Sequence, residues 1–193
     1  MKKIPTVFKR IFDGHKIIDI MPEITEGCET AFLCGDATVK FDGSPIAIIN
    51  GRIYKRFDLK QGRTLPAGAI PCAEAPDPIT GHFPHWVPCS LDNQADKWFY
   101  EAYNDYHKRR FTPPATYEAI GKHFNSNPYG MEKDTLEKHG EKLLDVKRDF
   151  DSVREFLREH YIEGIVFWFC GEPVCKIKRS DFGFDWGRGS ERR

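Results

Sequence analysis

TVKFDGSPIAIINGRIYKRFD, residues 38–58, is the stretch that decides how this chain is read. Two apolar runs, PIAII and RIY, flank Asn50-Gly51, a dipeptide that tolerates the positive φ angles of a type I′ turn. Residues 36–58 therefore read as a β-hairpin. Just ahead of its turn stands Lys40-Phe41-Asp42-Gly43. Residues two apart on a strand point to one face, so the pattern sets a lysine beside an aspartate in the middle of a β-rich region.

Outward from the hairpin, residues 1–35 read as an irregular lead-in with short apolar runs (KIIDIM, TAFLC). Residues 59–90 read as loop-rich, because Pro66, Pro71, Pro76, Pro78, Pro84 and Pro88 exclude a long regular element. The period then changes. Leu91, Ala95, Trp98, Phe99, Ala102, Tyr103 and Tyr106 recur at helical spacing and predict a helix over about 92–109, its basic end HKRR suiting the C-terminal dipole. A second helix fits FDSVREFLREHY, with Ser152 and Glu155 as a capping box and Val153, Phe156 and Leu157 as the buried stripe. EGIVFWF and PVCKIK read as strands separated by Cys170-Gly171-Glu172. Strands, helix, strand, helix, strands is the order of an α+β protein with largely antiparallel sheet.

The 193 residues suffice for one substantial domain or two small ones, and residues 1–193 read as a single domain. Apolar residues at 40%, aromatics at 13% and charges at 30% fit a soluble globular protein. Lys plus Arg equals Asp plus Glu, 29 each, so a polyanion would have to be met by a local patch. No apolar run reaches membrane-span length, and MKKIPTVFKRIFDGHK makes a poor signal peptide, so no membrane and a cytoplasmic setting are expected. The six cysteines form no C-x-x-C pair and read as free thiols. Cys72, His82, His85 and Cys89 have a zinc-like spacing, but they lie in the Pro-rich stretch, which reads as a loop with scattered polar residues.

Several charges sit where strands expect apolar or neutral residues. They are Lys40, Glu118 in ATYEAIG, Glu163 at the head of EGIVFWF, and Lys176 and Lys178 alternating with Ile177. If these strands line one cleft, it holds three lysines, two glutamates and Asp42 with apolar residues behind. Such a cleft suits a phosphate-rich anion, and its carboxylates suit a divalent metal or ribose hydroxyls. A lysine used there as a nucleophile must lose roughly 2–3 units from its ordinary pKa, and neighbouring lysines and a metal both push that way.

Lys40-Phe41-Asp42-Gly43 resembles the K-x-D-G motif of the covalent nucleotidyltransferases: DNA ligases, RNA ligases and mRNA capping enzymes. Glu163-Gly164-Ile165-Val166 resembles the family's later acidic-Gly-apolar-apolar strand. Lys176-Ile177-Lys178 resembles its terminal K-x-K strand, and TYEAIG, with Glu118, its middle motif. KIPTVFKR, TYEAIGKHFNSNPYG and KIKRSDFGFDW look like the small RNA ligase 1 family. Fifteen residues follow Lys178, so the chain looks like a bare nucleotidyltransferase domain of antiparallel sheets flanked by helices, without the OB-fold of DNA ligases and capping enzymes.

The resemblance implies an ATP-dependent RNA ligase. Lys40 would attack the α-phosphorus of ATP to give lysyl–AMP, with Mg²⁺ or Mn²⁺ as the metal. AMP would pass to an RNA 5′-phosphate, and an RNA 3′-hydroxyl would then displace it. Lys176 and Lys178 would meet the α-phosphate, Glu163 would hold the metal, and Glu118 would accept from a ribose hydroxyl. Arg56 would reach the sugar or the RNA 5′-phosphate, Asp42 and Gly43 would shape the turn, and the Val39 backbone would read the adenine edge. Phe150 and Phe124 are candidates for stacking on the base. RNA contact is expected from HKRR (107–110), Lys147-Arg148, the tail GRGSERR and above all Arg179, with Phe111, Phe182 and Trp186 as stacking partners. Separate end-healing enzymes are candidate partners. The rival readings are a GTP-using capping enzyme, a minimal DNA ligase, and a non-catalytic RNA-binding module on the same scaffold.

Overall fold

The structure, a computed structural model, describes residues 3–14, 16–60, 62–78 and 81–187. The chain is α+β with mostly antiparallel sheet and few helices. It divides into two compact units, one built on Asp42–Lys138, the other on Ile4–Phe41 and the chain from His139 onward. The polypeptide passes from one to the other immediately after Lys40-Phe41.

In the unit built on Asp42–Lys138, a six-stranded sheet forms. Numbered along the whole chain, its strands are β4 (Ser44–Ile49), β5 (Arg52–Leu59), β6 (Ile70–Pro71), β7 (Phe83–Pro88), β8 (Ala115–Ile120) and β9 (Thr135–Lys138), in the order β6-β7-β5-β4-β8-β9. The β4–β5 hairpin turns at Asn50 and Gly51, whose φ angles of 49° and 72° are those the dipeptide predicts. Helix α2 (Lys97–Arg109) buries Ala102 and Tyr106 against Ile46, Ile48, Tyr117 and Leu136. Strand β7 is a departure from the loop expected over 59–90. It contains Pro84 and Pro88, and the Pro84 carbonyl accepts from the Cys72 N–H at 2.9 Å. Pro84 therefore faces the two-residue strand β6, where a missing donor costs one short edge contact and no interior ladder.

The other unit carries β1 (Phe8–Asp13), β2 (Lys16–Ile24), β3 (Asp36–Lys40), β10 (Gly164–Phe169) and β11 (Glu172–Lys178), with helices α1 (Glu29–Cys34) and α3 (Phe150–Glu159). Residues 1–35, expected to be irregular, instead hold an antiparallel hairpin, β1–β2, and α1. Strand β3 does not join the hairpin that follows it. It pairs with β10 in a three-stranded sheet of order β11-β10-β3. Helix α3 lies where the apolar stripe predicts, but its cap is Asp149, whose carboxylate accepts from the Ser152 N–H at 2.8 Å, and not Ser152. Val153 and Leu157 are buried with Val7, Phe8, Phe32, Phe167 and Ile177 in one core. Among the described residues no helix is long and apolar enough to cross a membrane.

Candidate functional site

The register of the three-stranded sheet sorts its side chains. Lys40 on β3 and Lys178 on β11 are both Cα partners of Gly164 on β10, and Thr38 and Lys176 are both partners of Val166. Directly opposed residues share a face, so Lys40, Gly164 and Lys178 form one row and Thr38, Val166 and Lys176 the next. The alternate residues Ala37, Val39, Ile165, Phe167, Cys175 and Ile177 are buried on the reverse. The three lysines expected to face one way with apolar residues behind them do so.

Glu163 binds two of them. Its Oε2 pairs with Lys40 Nζ, and its Oε1 lies 2.7 Å from Lys178 Nζ. The carboxylate is 5% exposed, so the attraction is weakly screened. Gly164 is fixed by space: a Cβ there would stand 2.1 Å from the Ile177 carbonyl oxygen. Among the described residues Lys176 has no ion-pair or hydrogen-bond partner for its ammonium. Burial first, then Lys40, Lys178 and Arg10, lower its pKa to about 8, against an opposing pull from Glu163. Arg10 on β1 bonds Asp181 at 2.6 Å. That pair is neutral in sum, and the three lysines against the one carboxylate of Glu163 leave an excess of two positive charges suited to an anion.

Val39, assigned to the adenine edge, donates its N–H to the Lys142 carbonyl at 2.9 Å. Its amide is therefore already engaged, by the segment that runs alongside β3 outside the three-stranded sheet. Phe150, offered as a base-stacking ring, packs edge-on against Phe8 and Phe182, in the core of this unit.

Asp42, Gly43, Arg56, Glu118 and Phe124 lie in the other unit. Strand β3 ends at Lys40, so the strand-face relation between Lys40 and Asp42 does not apply. Asp42 donates its N–H to the Tyr129 hydroxyl at 2.6 Å and accepts from Asn125 Nδ2 at 2.8 Å. Gly43 donates to Glu118 Oε1 at 3.1 Å, and a Cβ on it would meet the Ala119 carbonyl oxygen at 2.1 Å. Glu118, on β8 and buried, thus holds the turn after Lys40. Asn125 has φ 42° and is followed by Ser126 and Asn127 at 62° and 53°, three consecutive left-handed residues. Arg56, on β5, holds Asp58 through Nε at 3.2 Å and Nη2 at 3.1 Å. Phe124, the other stacking candidate, is 4% exposed and belongs to the core.

The basic residues expected to touch RNA divide sharply. Arg179 is a structural cap: Nη1 donates to the carbonyls of Leu157, Arg158 and His160 at the end of α3, and Nε to Asp185 at 2.8 Å. Arg148 is half-buried, donating to the Gly35 carbonyl at 2.9 Å. Arg109 pairs with Asp105 at 2.6 Å. Lys108 and Lys147 are exposed, and Phe111 is 78% exposed beside HKRR. Of the tail GRGSERR only Gly187 lies within the described residues.

The zinc-like spacing does not converge. His85 is buried with Nδ1 at 2.9 Å from the Phe83 carbonyl, and burial pushes the Cys89 thiol up to about 12. Among the described residues no three His, Cys, Asp or Glu side chains form a metal-holding group. The sequence reading missed Arg10 and Asp181, although Lys178-Arg179-Ser180-Asp181 has the spacing of a capping box.

No protein-family model matches the chain, and no curated protein matches it.

Proposed function

We propose that this protein is an ATP-dependent RNA ligase working through a lysyl–AMP intermediate on Lys40. The observation that carries the reading is the Glu163 carboxylate bridging Lys40 and Lys178, with Lys176 on the next row of the same face. A nucleophilic amine and two phosphate-binding ammonium groups on one sheet face are what attack at an α-phosphorus requires. The motif resemblance supplies the identity of the electrophile.

Lys40 Nζ attacks the α-phosphorus as pyrophosphate leaves, forming a P–N bond. Negative charge shifts over the non-bridging oxygens. Lys176 and Lys178 serve as point charges that stabilise it without demanding one angle. Glu163 orients Lys40 before attack and accepts its proton or releases it to water. In the later steps the RNA 5′-phosphate takes AMP from Lys40, and a 3′-hydroxyl expels it. Glu118 is assigned a ribose hydroxyl, and Arg56 the sugar or the RNA 5′-phosphate, by the same resemblance.

The fit to a metal is limited. Both Glu163 oxygens hold ammonium groups, so the protein offers one carboxylate, and the other ligands must be phosphate oxygens and water, which is how Mg²⁺ commonly arrives with a nucleotide. When bound, such an ion neutralises phosphate charge. RNA contact rests on exposed Lys108, Lys147 and Phe111, and a cytoplasmic setting belongs to the same proposal. The test is incubation with α-labelled ATP or GTP and a divalent metal. Label from ATP retained on denatured protein supports the ligase reading. Label from GTP alone would move the function to capping, and no label from either would remove it.

A further inference from the structure

Glu163 and Lys178 meet through their side chains, and one short turn also ties down both of their backbones. The turn Arg179–Phe182 follows β11 directly. Its first N–H, on Arg179, donates to the Glu163 carbonyl at 2.8 Å. Its third residue, Asp181, accepts the Lys178 N–H through Oδ2, also at 2.8 Å. The other oxygen of Asp181 accepts from Arg10 Nη2 at 2.6 Å. Asp181 is 7% exposed, and a carboxylate buried that deeply is retained only with charged or hydrogen-bonded partners. Arg10 and the Lys178 amide are those partners. Arg10 in turn reaches the turn from β1, so the hairpin at the start of the chain braces the end of the last strand.

Removing Asp181 would release the Lys178 amide, leave Arg10 Nη2 without its anion, and let the end of β11 drift from Glu163. Removing Arg10 would leave a buried carboxylate without its counter-charge, which then pulls on Lys178 alone. Neither residue touches a reacting atom in the mechanism above.

We propose that the Arg10–Asp181 pair is a positioning device that sets Lys178 against Glu163, and through Glu163 sets Lys40. Its catalytic consequence rests on the lysyl–AMP reading, but its geometry does not, so two measurements separate them. The first is mass-spectrometric footprinting of lysines with an acetylating reagent, without nucleotide. Arg10→Gln and Asp181→Ala should raise Lys178 labelling about fivefold, the scale of a partly exposed ion pair, while Lys97 stays constant. Asp181→Asn, which keeps an acceptor oxygen, should fall between, and Arg10→Lys should lie near wild type. The second is single-turnover lysyl–nucleotide formation. Arg10→Gln should slow it by about 10²-fold with little change in nucleotide affinity, the cost of an ångström-scale misplacement. Unchanged Lys178 labelling in folded Arg10→Gln protein overturns the inference. Raised Lys178 labelling in the variants, together with a wild-type protein that forms no adduct, keeps the inference and removes the ligase reading. Equal loss of rate in Arg10→Lys and Arg10→Gln, with no change in labelling, also overturns it.

Discussion

Lys40 and Lys178 are the two cross-strand neighbours of a single residue, Gly164, one on each side of it. Thirty-odd residues from the start of the chain and about fifteen from its end, they are brought into one row by the register of β10. The Glu163 carboxylate then bridges them. The candidate chemistry therefore depends on a strand whose first residue, between the two lysines, carries no side chain.

Gly164→Ala tests that dependence. The added methyl would sit 2.1 Å from the Ile177 carbonyl and 2.9 Å from Lys178 Cα, both backbone atoms that cannot step aside without moving β11. The expected loss is about 1–3 kcal/mol by chemical denaturation. Gly171→Ala, at φ 78° in open space, should lose only about 1 kcal/mol. Equal effects at the two sites would contradict the packing argument.

Lys176 gives a pH prediction with a definite sign. Its folded pKa of about 8 lies below the ordinary 10.5, so the unfolded chain binds its proton more tightly. Its destabilising effect is complete below pH 8 and disappears as pH rises from 8 towards 10.5. Lys176→Met should therefore be more stable than wild type at pH 7, by up to about 3 kcal/mol, and the advantage should shrink by pH 10. The same variant should lose lysyl–AMP formation. Paired melting curves at pH 7 and 10 check it, and an equal difference at both would be the contrary result.

Arg179→Ala should destabilise the fold, by about 1.5–3 kcal/mol, because it leaves the last carbonyls of α3 without their charged donor. The salt dependence of RNA binding should be unchanged. Lys108→Gln and Lys147→Gln should do the reverse, each lowering the salt slope by about one at unchanged stability. A reduced slope in Arg179→Ala would restore that arginine to the RNA surface.

These outcomes follow how the sequence could be read. Asn50-Gly51 announced its hairpin because only a few residue types accept two positive φ angles in succession. The apolar periods of α2, α3, β10 and β11 came from single faces packed on single cores. The lysine row was legible for the same reason: alternation fixes faces before partners are known. The β1–β2 hairpin was not legible, since irregularities between Phe8 and Arg10 and between Ile11 and Phe12 break the two-residue period. Nor was the partner of β3, which pairs with a strand more than a hundred residues away and not with its neighbour. Nor was the capping role of Arg179, because its bonds to the end of α3 join residues about twenty positions apart and leave no local pattern.

Substrate choice follows from the proposal. Exposed Phe111 beside Lys108 suits unstacked bases, and RNA is told from DNA through its 2′-hydroxyls. Joining of a 5′-phosphate to a 3′-hydroxyl should be efficient on single-stranded or looped RNA ends and poor on all-DNA nicks. Matched RNA and DNA substrates ligated side by side at fixed salt decide this. Efficient sealing of DNA nicks with inert RNA ends would overturn the RNA assignment.

The most direct test of the central claim is peptide mapping of the protein after incubation with ATP and Mg²⁺ or Mn²⁺. One AMP should be found on Lys40, through a bond that survives base and breaks in acid. Lys40→Ala should carry none, although Glu163, Lys176 and Lys178 are intact. No adduct on the wild type, or an adduct that persists in Lys40→Ala, would contradict the account.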